Sequence, residues 1–152
     1  MPTILTGPDE IKAAVGKPLG TTDWLEVGQE RINQFAEATG DHQWIHVDVE
    51  RAKSGPFGAP IAHGFLTLSL VSYFLPDIVR VEGASMGINY GVNKVRFPSP
   101  VTVGSKIRAA GEIAEVTDVA GGVQMVTRVT IEVEGGGKPA CVAETVNRFI
   151  FD

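Results

Sequence analysis

The feature that most constrains this chain is the run from Ile61 to Leu75, where apolar side chains occupy nearly every helical face and His63, Thr67, Ser69 and Ser72 are the polar interruptions before Pro76. A helix that is apolar all round has to be buried, so the rest of the chain must supply its cover. Four downstream segments have the character to do so: Met86 to Phe97, Lys106 to Thr117, Val123 to Glu134 and Ala140 to Phe151. In the third, Val129, Ile131 and Val133 alternate with Thr130, Glu132 and Glu134, the period of a strand with one buried face. Gly121-Gly122 and Gly135-Gly136-Gly137 supply turns between them. This order predicts an α+β fold in which a long antiparallel sheet wraps around a buried central helix. An open sheet with helices on one face has the same order, and periodicity alone does not separate the two.

The chain of 152 residues suits a single domain spanning 1–152, with no repeat and no linker. Residues 1–20 read as an N-terminal helical extension, an outer flap whose helix runs from Pro8 to Val15, carries Asp9 and Glu10 in its first turn and ends at Gly16 before Pro18. Thr22 to Val27 reads as a first strand. Gln29 to Thr39 places Ile32, Phe35, Ala36 and Ala38 at mainly helical spacing, stops at Gly40 and so delivers Asp41. Gly55, Pro56, Gly58 and Pro60 make residues 41 to 60 an irregular segment, the kind of place where function often resides.

The formal net charge of −5 argues against nucleic acid as a partner. The N-terminus lacks the basic start and apolar run of a secretory signal, and no stretch has the apolar length to span a bilayer, so no membrane partner is expected. The single Cys141 lies in an alternating apolar stretch and reads as a buried, inert thiol, which fits a reducing cytoplasm.

Of the three histidines, His46 and His63 lie in or beside the Gly- and Pro-rich segment, and His42 adjoins Asp41. A turn here could direct Asp41 and His46 at one water molecule, and such a carboxylate and imidazole can share proton transfer. The spacing alone equally fits a capping Asp and a hydrogen-bonded His. Gly64 sits where the apolar helix begins. Its N–H could face a carbonyl oxygen turning into an enolate, or the glycine could merely permit close packing. His63 reads as a packing residue or as a support for other site residues. Asp41, His42, His46, Asp48 and His63 lack a recognised zinc spacing, so a metal is not expected. Ser69 and Ser72 have no nucleophile elbow around them, and there is no P-loop or dinucleotide fingerprint.

The segment A-T-G-D-H-Q-W-I-H-V-D at 38–48 resembles the hydratase 2 motif of MaoC-like dehydratases: Ser or Thr, Gly, Asp, any residue, Asn, Pro, an aliphatic residue, His. The likeness continues through G-A-P-I-A-H-G-F-L-T-L-S-L at 58–70 and N-K-V-R-F-P-S-P-V-T-V-G-S at 93–105, and covers roughly residues 20 to 150. It implies a single hot-dog domain, a homodimer with a continuous sheet, and (R)-specific hydration of a trans-2-enoyl-CoA without metal or organic cofactor. Asp41 and His46 fall on the catalytic pair, Gly64 on the N–H that polarises the thioester carbonyl, and Ser69 on a serine found at the site of some relatives. Where the motif has Asn-Pro, this chain has Gln43-Trp44, a variant that looks like the branch related to nodulation protein N. Trp44 is then a candidate wall of the acyl pocket. Lys94 and Arg96 are candidates to meet CoA phosphates, and Asn89 and Tyr90 to line the site from the same strand. A thioesterase on the same fold, or a non-catalytic acyl-CoA-binding subunit of a heteromeric dehydratase, are the alternatives.

Overall fold

In the computed structural model, which describes residues 1–152, the chain begins with a short strand, β1 (Thr3–Thr6), and a helix, α1 (Gly7–Ala13), followed by strands β2 (Pro18–Thr21) and β3 (Leu25–Glu26). Helix α2 (Gln29–Thr39) has the bounds expected from its apolar spacing and leads into two short helices, α3 (Trp44–Val47) and α4 (Val49–Lys53). Helices α5 (Gly64–Ser69) and α6 (Val71–Ile78) come next, then β4 (Val79–Glu82), β5 (Met86–Arg96), β6 (Lys106–Val119), β7 (Gly122–Val133) and β8 (Cys141–Ile150). No helix is long and apolar enough to cross a membrane.

The long strands form one antiparallel sheet in the order β2-β6-β7-β8-β5, with β3 also paired to β6. Its inner face follows from the alternation: Val123, Met125, Thr127, Val129 and Ile131 of β7 are buried, as are Ile107, Ala109 and Ile113 of β6 beside them. Leu66, Leu70, Phe74 and Ile78, spaced four apart, form the helical stripe that meets this face. Contact is close at Gly111, where a β-carbon would lie 3.0 Å from Ile78 Cγ2, so the sheet needs a residue without a side chain there.

Three expectations are corrected. The apolar run from Ile61 to Leu75 begins with Ile61 in a β-bridge to Thr102 and becomes helical only at Gly64, as two helices meeting at Leu70, and it is not wholly buried: Phe65 is 70% and Tyr73 53% exposed, on the face that the sheet of the same chain does not reach. Pro76 lies inside α6, whose last turn continues to Ile78; lacking an N–H, it leaves the carbonyl four residues earlier without a helical donor. Residues 1–20 are no outer flap: β1 pairs in parallel with β4, β2 joins the main sheet through β6, and Ile11 of α1 is completely buried. Thr22 to Val27 shrinks to the two-residue β3, although Thr22 N–H still reaches Ala109 O at 2.9 Å. Strand β5 is an edge strand, exposed along most of its length, with Met86, Ile88, Tyr90 and Val92 all open to solvent in the single chain.

Candidate active site

Helix α2 ends because Gly40 takes a left-handed conformation (φ 82°), which turns the chain away and sends Gly40 N–H to Ala36 O at 2.8 Å. Asp41 is the next residue. Its N–H donates to Thr39 Oγ1 at 3.3 Å, and its Oδ1 accepts from Gln43 N–H at 3.3 Å, an Asx turn that opens α3. One turn on, α3 carries His46 inward to 6% exposure.

Two main-chain carbonyls fix the imidazoles. His46 Nδ1 lies 2.7 Å from Ile61 O, and because a carbonyl only accepts, Nδ1 carries the hydrogen and Nε2 keeps a bare lone pair. His63, 2% exposed, donates from Nε2 to Asp41 O at 3.0 Å, and its Nδ1 is buried and without a partner in the protein. The two rings stack, with centroids 3.8 Å apart and planes 24° from parallel. The Asp41 carboxylate, His46 and His63 each bring one polar atom within 4.8 Å of the others. Burial is the largest influence on the His46 imidazole and pushes its pKa below the ordinary 6.5; the Ile61 carbonyl opposes this, His63 reinforces it and Asp41 opposes it. His46 is therefore neutral at neutral pH, with Nε2 free to accept a proton.

A cleft of about 370 Å³ opens beside His46, lined mainly by apolar groups including Ile45, Phe57, Phe97 and Val101, and it contains Gly64. Gly64 is the first residue of α5, so its N–H is among those that a helix leaves without an internal acceptor. A β-carbon at Gly64 would lie 3.2 Å from the Phe97 ring. Gly64 is thus closely packed against Phe97 and also part of the cleft lining.

The remaining residues singled out in the sequence are not among those that line this cleft. Ser69 and Asn89 line a separate depression of about 440 Å³ with Leu68, Thr145 and Asn147, and the Ser69 hydroxyl donates to Phe65 O at 2.7 Å within its own helix. Ser69 is five residues beyond Gly64, about 7.5 Å along the axis, which carries it past the cleft. Tyr90 lies under the Arg148 guanidinium at 3.6 Å. Arg96 donates to Val95 O at 2.8 Å, and Lys94, at the bulge in β5, has φ 48°. Trp44 packs against Gly55 and under Arg51, whose guanidinium carbon is 4.2 Å from the ring centroid, so it stiffens the α3–α4 corner instead of walling the cleft. Sequence reasoning missed Gln29, whose Nε2 donates to His46 O at 2.8 Å and holds the segment from below; an amide in the first turn of α2 carries no signal of so distant a partner.

A long antiparallel sheet around a broken central helix, with an acid and an imidazole on the segment leading into that helix, defines a hot-dog protein of the MaoC-like class. Residues 10–135 match the family described as MaoC like domain, and the chain belongs to that family. It is similar to 3-hydroxyacyl-thioester dehydratase Z of Mycobacterium tuberculosis, 52% identical over 142 residues that cover 93% of this chain and 94% of the relative. It is also 42% identical to nodulation protein N of Rhizobium leguminosarum bv. viciae, over 94% of this chain and 91% of the relative, in line with the Gln-Trp variant of the motif. Among solved structures, the (R)-hydratase from A. caviae involved in PHA biosynthesis superposes with a TM-score of 0.68 at 26% identity, over 88% of this chain and 94% of that one.

Proposed function

We propose that this protein interconverts a trans-2-enoyl thioester and the (R)-3-hydroxyacyl thioester by adding or removing water. The observation that carries the reading is the bare Nε2 of a neutral His46, held beside the Asp41 carboxylate and next to a cleft that contains Gly64. Water held between Asp41 and His46 gives up a proton to this pair as its oxygen bonds to C3. The C2=C3 electrons move toward the carbonyl, whose oxygen takes on enolate character opposite Gly64 N–H. The proton taken up by the pair is returned to C2, and the reverse sequence expels water. The relatives named dehydratase and (R)-hydratase support both the reaction class and its handedness.

The chemistry requires only these groups, and the reading includes no metal or organic cofactor. Asp41, His46 and His63 cluster within 4.8 Å of one another, and in this reading the free nitrogen of His46 serves as a proton acceptor. The reading also includes a homodimer formed through β5, whose unpaired edge and exposed Met86, Ile88, Tyr90 and Val92 invite pairing with a second copy. The buried Cys141 suits a reducing compartment such as the cytoplasm.

Incubation with crotonyl-CoA tests the reaction. Loss of the enoyl absorbance without thiol release is expected; release of free CoA would indicate a thioesterase, and no change in either would leave only binding. Elution at the mass of a monomer at micromolar concentration would refute the dimer.

A further inference from the structure

His63 joins all three parts of the site. Its ring donates from Nε2 to Asp41 O at 3.0 Å across 22 residues of sequence, and the same ring stacks on His46 at 3.8 Å. Its carbonyl accepts from Thr67 N–H at 3.1 Å and from the Thr67 hydroxyl at 3.4 Å, which ties it to the start of α5, immediately before Gly64. Phe35 closes the ring in from another side, with centroids 4.8 Å apart. A buried imidazole with one nitrogen left unpartnered is an unusual choice for simple filling, since buried polar atoms are almost always paired. An apolar ring could fill the same space. It could not donate to Asp41 O.

We propose that His63 is a positioning residue: its ring stacks on His46 while its Nε2–H holds the Asp41 main chain, and so sets the separation between the acid and the imidazole at which water is activated. Asp41 is exposed and follows a left-handed glycine, and its own side chain is engaged only with Gln43 N–H. The His63 bond is the contact that ties it to the core. The inference rests on the hydratase reading for its effect on turnover, but its geometric half stands apart from that reading.

The test uses two substitutions in the full-length protein. His63→Phe keeps an aromatic ring against His46 and removes the donor. His63→Gln removes the ring but has an amide nitrogen that can reach the position of Nε2. In His63→Phe, kcat for crotonyl-CoA hydration is expected to fall about 10- to 100-fold, the scale on which a displacement of up to an ångström costs rate, while KM changes by less than about threefold. His63→Gln is expected to regain most of the loss. Amide hydrogen exchange at residues 41–43 reports position without reference to turnover: it should accelerate in His63→Phe and stay near the wild-type rate in His63→Gln. In the wild-type protein, side-chain ¹⁵N spectra should show His63 as the Nε2–H tautomer and His46 as the Nδ1–H tautomer. Unchanged kcat and exchange in His63→Phe, a His63→Gln variant as impaired as His63→Phe, or a His63 without a proton on Nε2 would each overturn the proposal. A wild-type protein that hydrates no enoyl thioester would refute the proposed function, and the exchange and tautomer results would still decide the role of His63.

Discussion

Gly64→Ala separates what the glycine does for the fold from what it does for chemistry. The added methyl would lie 3.2 Å from two atoms of the Phe97 ring, a few tenths of an ångström inside ordinary contact. Phe97 is 43% exposed in the chain and can swing outward, and the backbone at Gly64 is not in the left-handed region, so alanine is conformationally allowed. The cost of moving the ring is set against a gain of up to about 1 kcal/mol from replacing glycine in a helix, so net stability should change by no more than about 1 kcal/mol. For a domain of this size that is a shift in Tm of about 2–4 °C. Turnover should respond differently. On the proposed function the methyl enters the space where a thioester carbonyl would approach Gly64 N–H, and losing close approach to one such donor costs about 10²-fold or more in kcat, about 2.7 kcal/mol. Thermal melting followed by circular dichroism and loss of enoyl absorbance with crotonyl-CoA measure the two quantities on one preparation. A variant with kcat and kcat/KM within about threefold of wild type would refute the assignment of Gly64 to the carbonyl. A fall in activity matched by a large fall in Tm would refute the claim that the effect is local.

Asp41→Asn and His46→Gln should each lower kcat by about 10²- to 10⁴-fold, with far-ultraviolet circular dichroism unchanged; wild-type turnover in either would remove that residue from the mechanism. Because the folded pKa of His46 lies below 6.5, the unfolded chain binds the proton more readily between the two values, so stability from this residue is complete above pH 6.5 and declines as pH falls through that window. Urea midpoints between pH 7.5 and 5 should fall less steeply in His46→Gln, and kcat/KM of the wild type should hold at pH 6.5 and decline only below it. Burial raises the Cys141 thiol to about 11, so it should resist a disulfide reagent at pH 8 in the native protein and react promptly in denaturant; native reaction at the denatured rate would contradict its burial.

Local pattern carried much of this fold. The spacing of Ile32, Phe35 and Ala36 and the stop at Gly40 define α2, and the alternation through Val129, Ile131 and Val133 defines β7, because both depend on residues a few positions apart. The run from Ile61 to Leu75 misled for a physical reason: apolar composition marks what has to be covered but does not say by what. One face meets the sheet of the same chain, and Phe65 and Tyr73 on the other do not. At the site, Asp41, His46 and Gly64 were legible from the order of three motifs. The role of Gln29 was not, and His63 was legible as packing or support but not by its partner, since the two donate to main-chain carbonyls 17 and 22 residues away. The contact of Trp44 with Gly55 was likewise invisible, although it shows how a Trp can stiffen a corner where the motif has proline.

Both imidazoles are oriented by carbonyl groups of the backbone, Ile61 for His46 and Asp41 for His63. Such acceptors are common to every amino acid, so replacing the side chain at position 61 leaves the acceptor for His46 in place as long as the chain keeps its path. The protonation pattern of the site is thereby insulated from the residues that shape the cleft wall. Under the proposed function, Ile45, Phe57 and Phe97 could change for a different acyl group while the two carbonyl-held imidazoles stay as they are. A scaffold divided in this way can acquire new substrates by replacing wall residues one at a time, each step starting from a working catalyst.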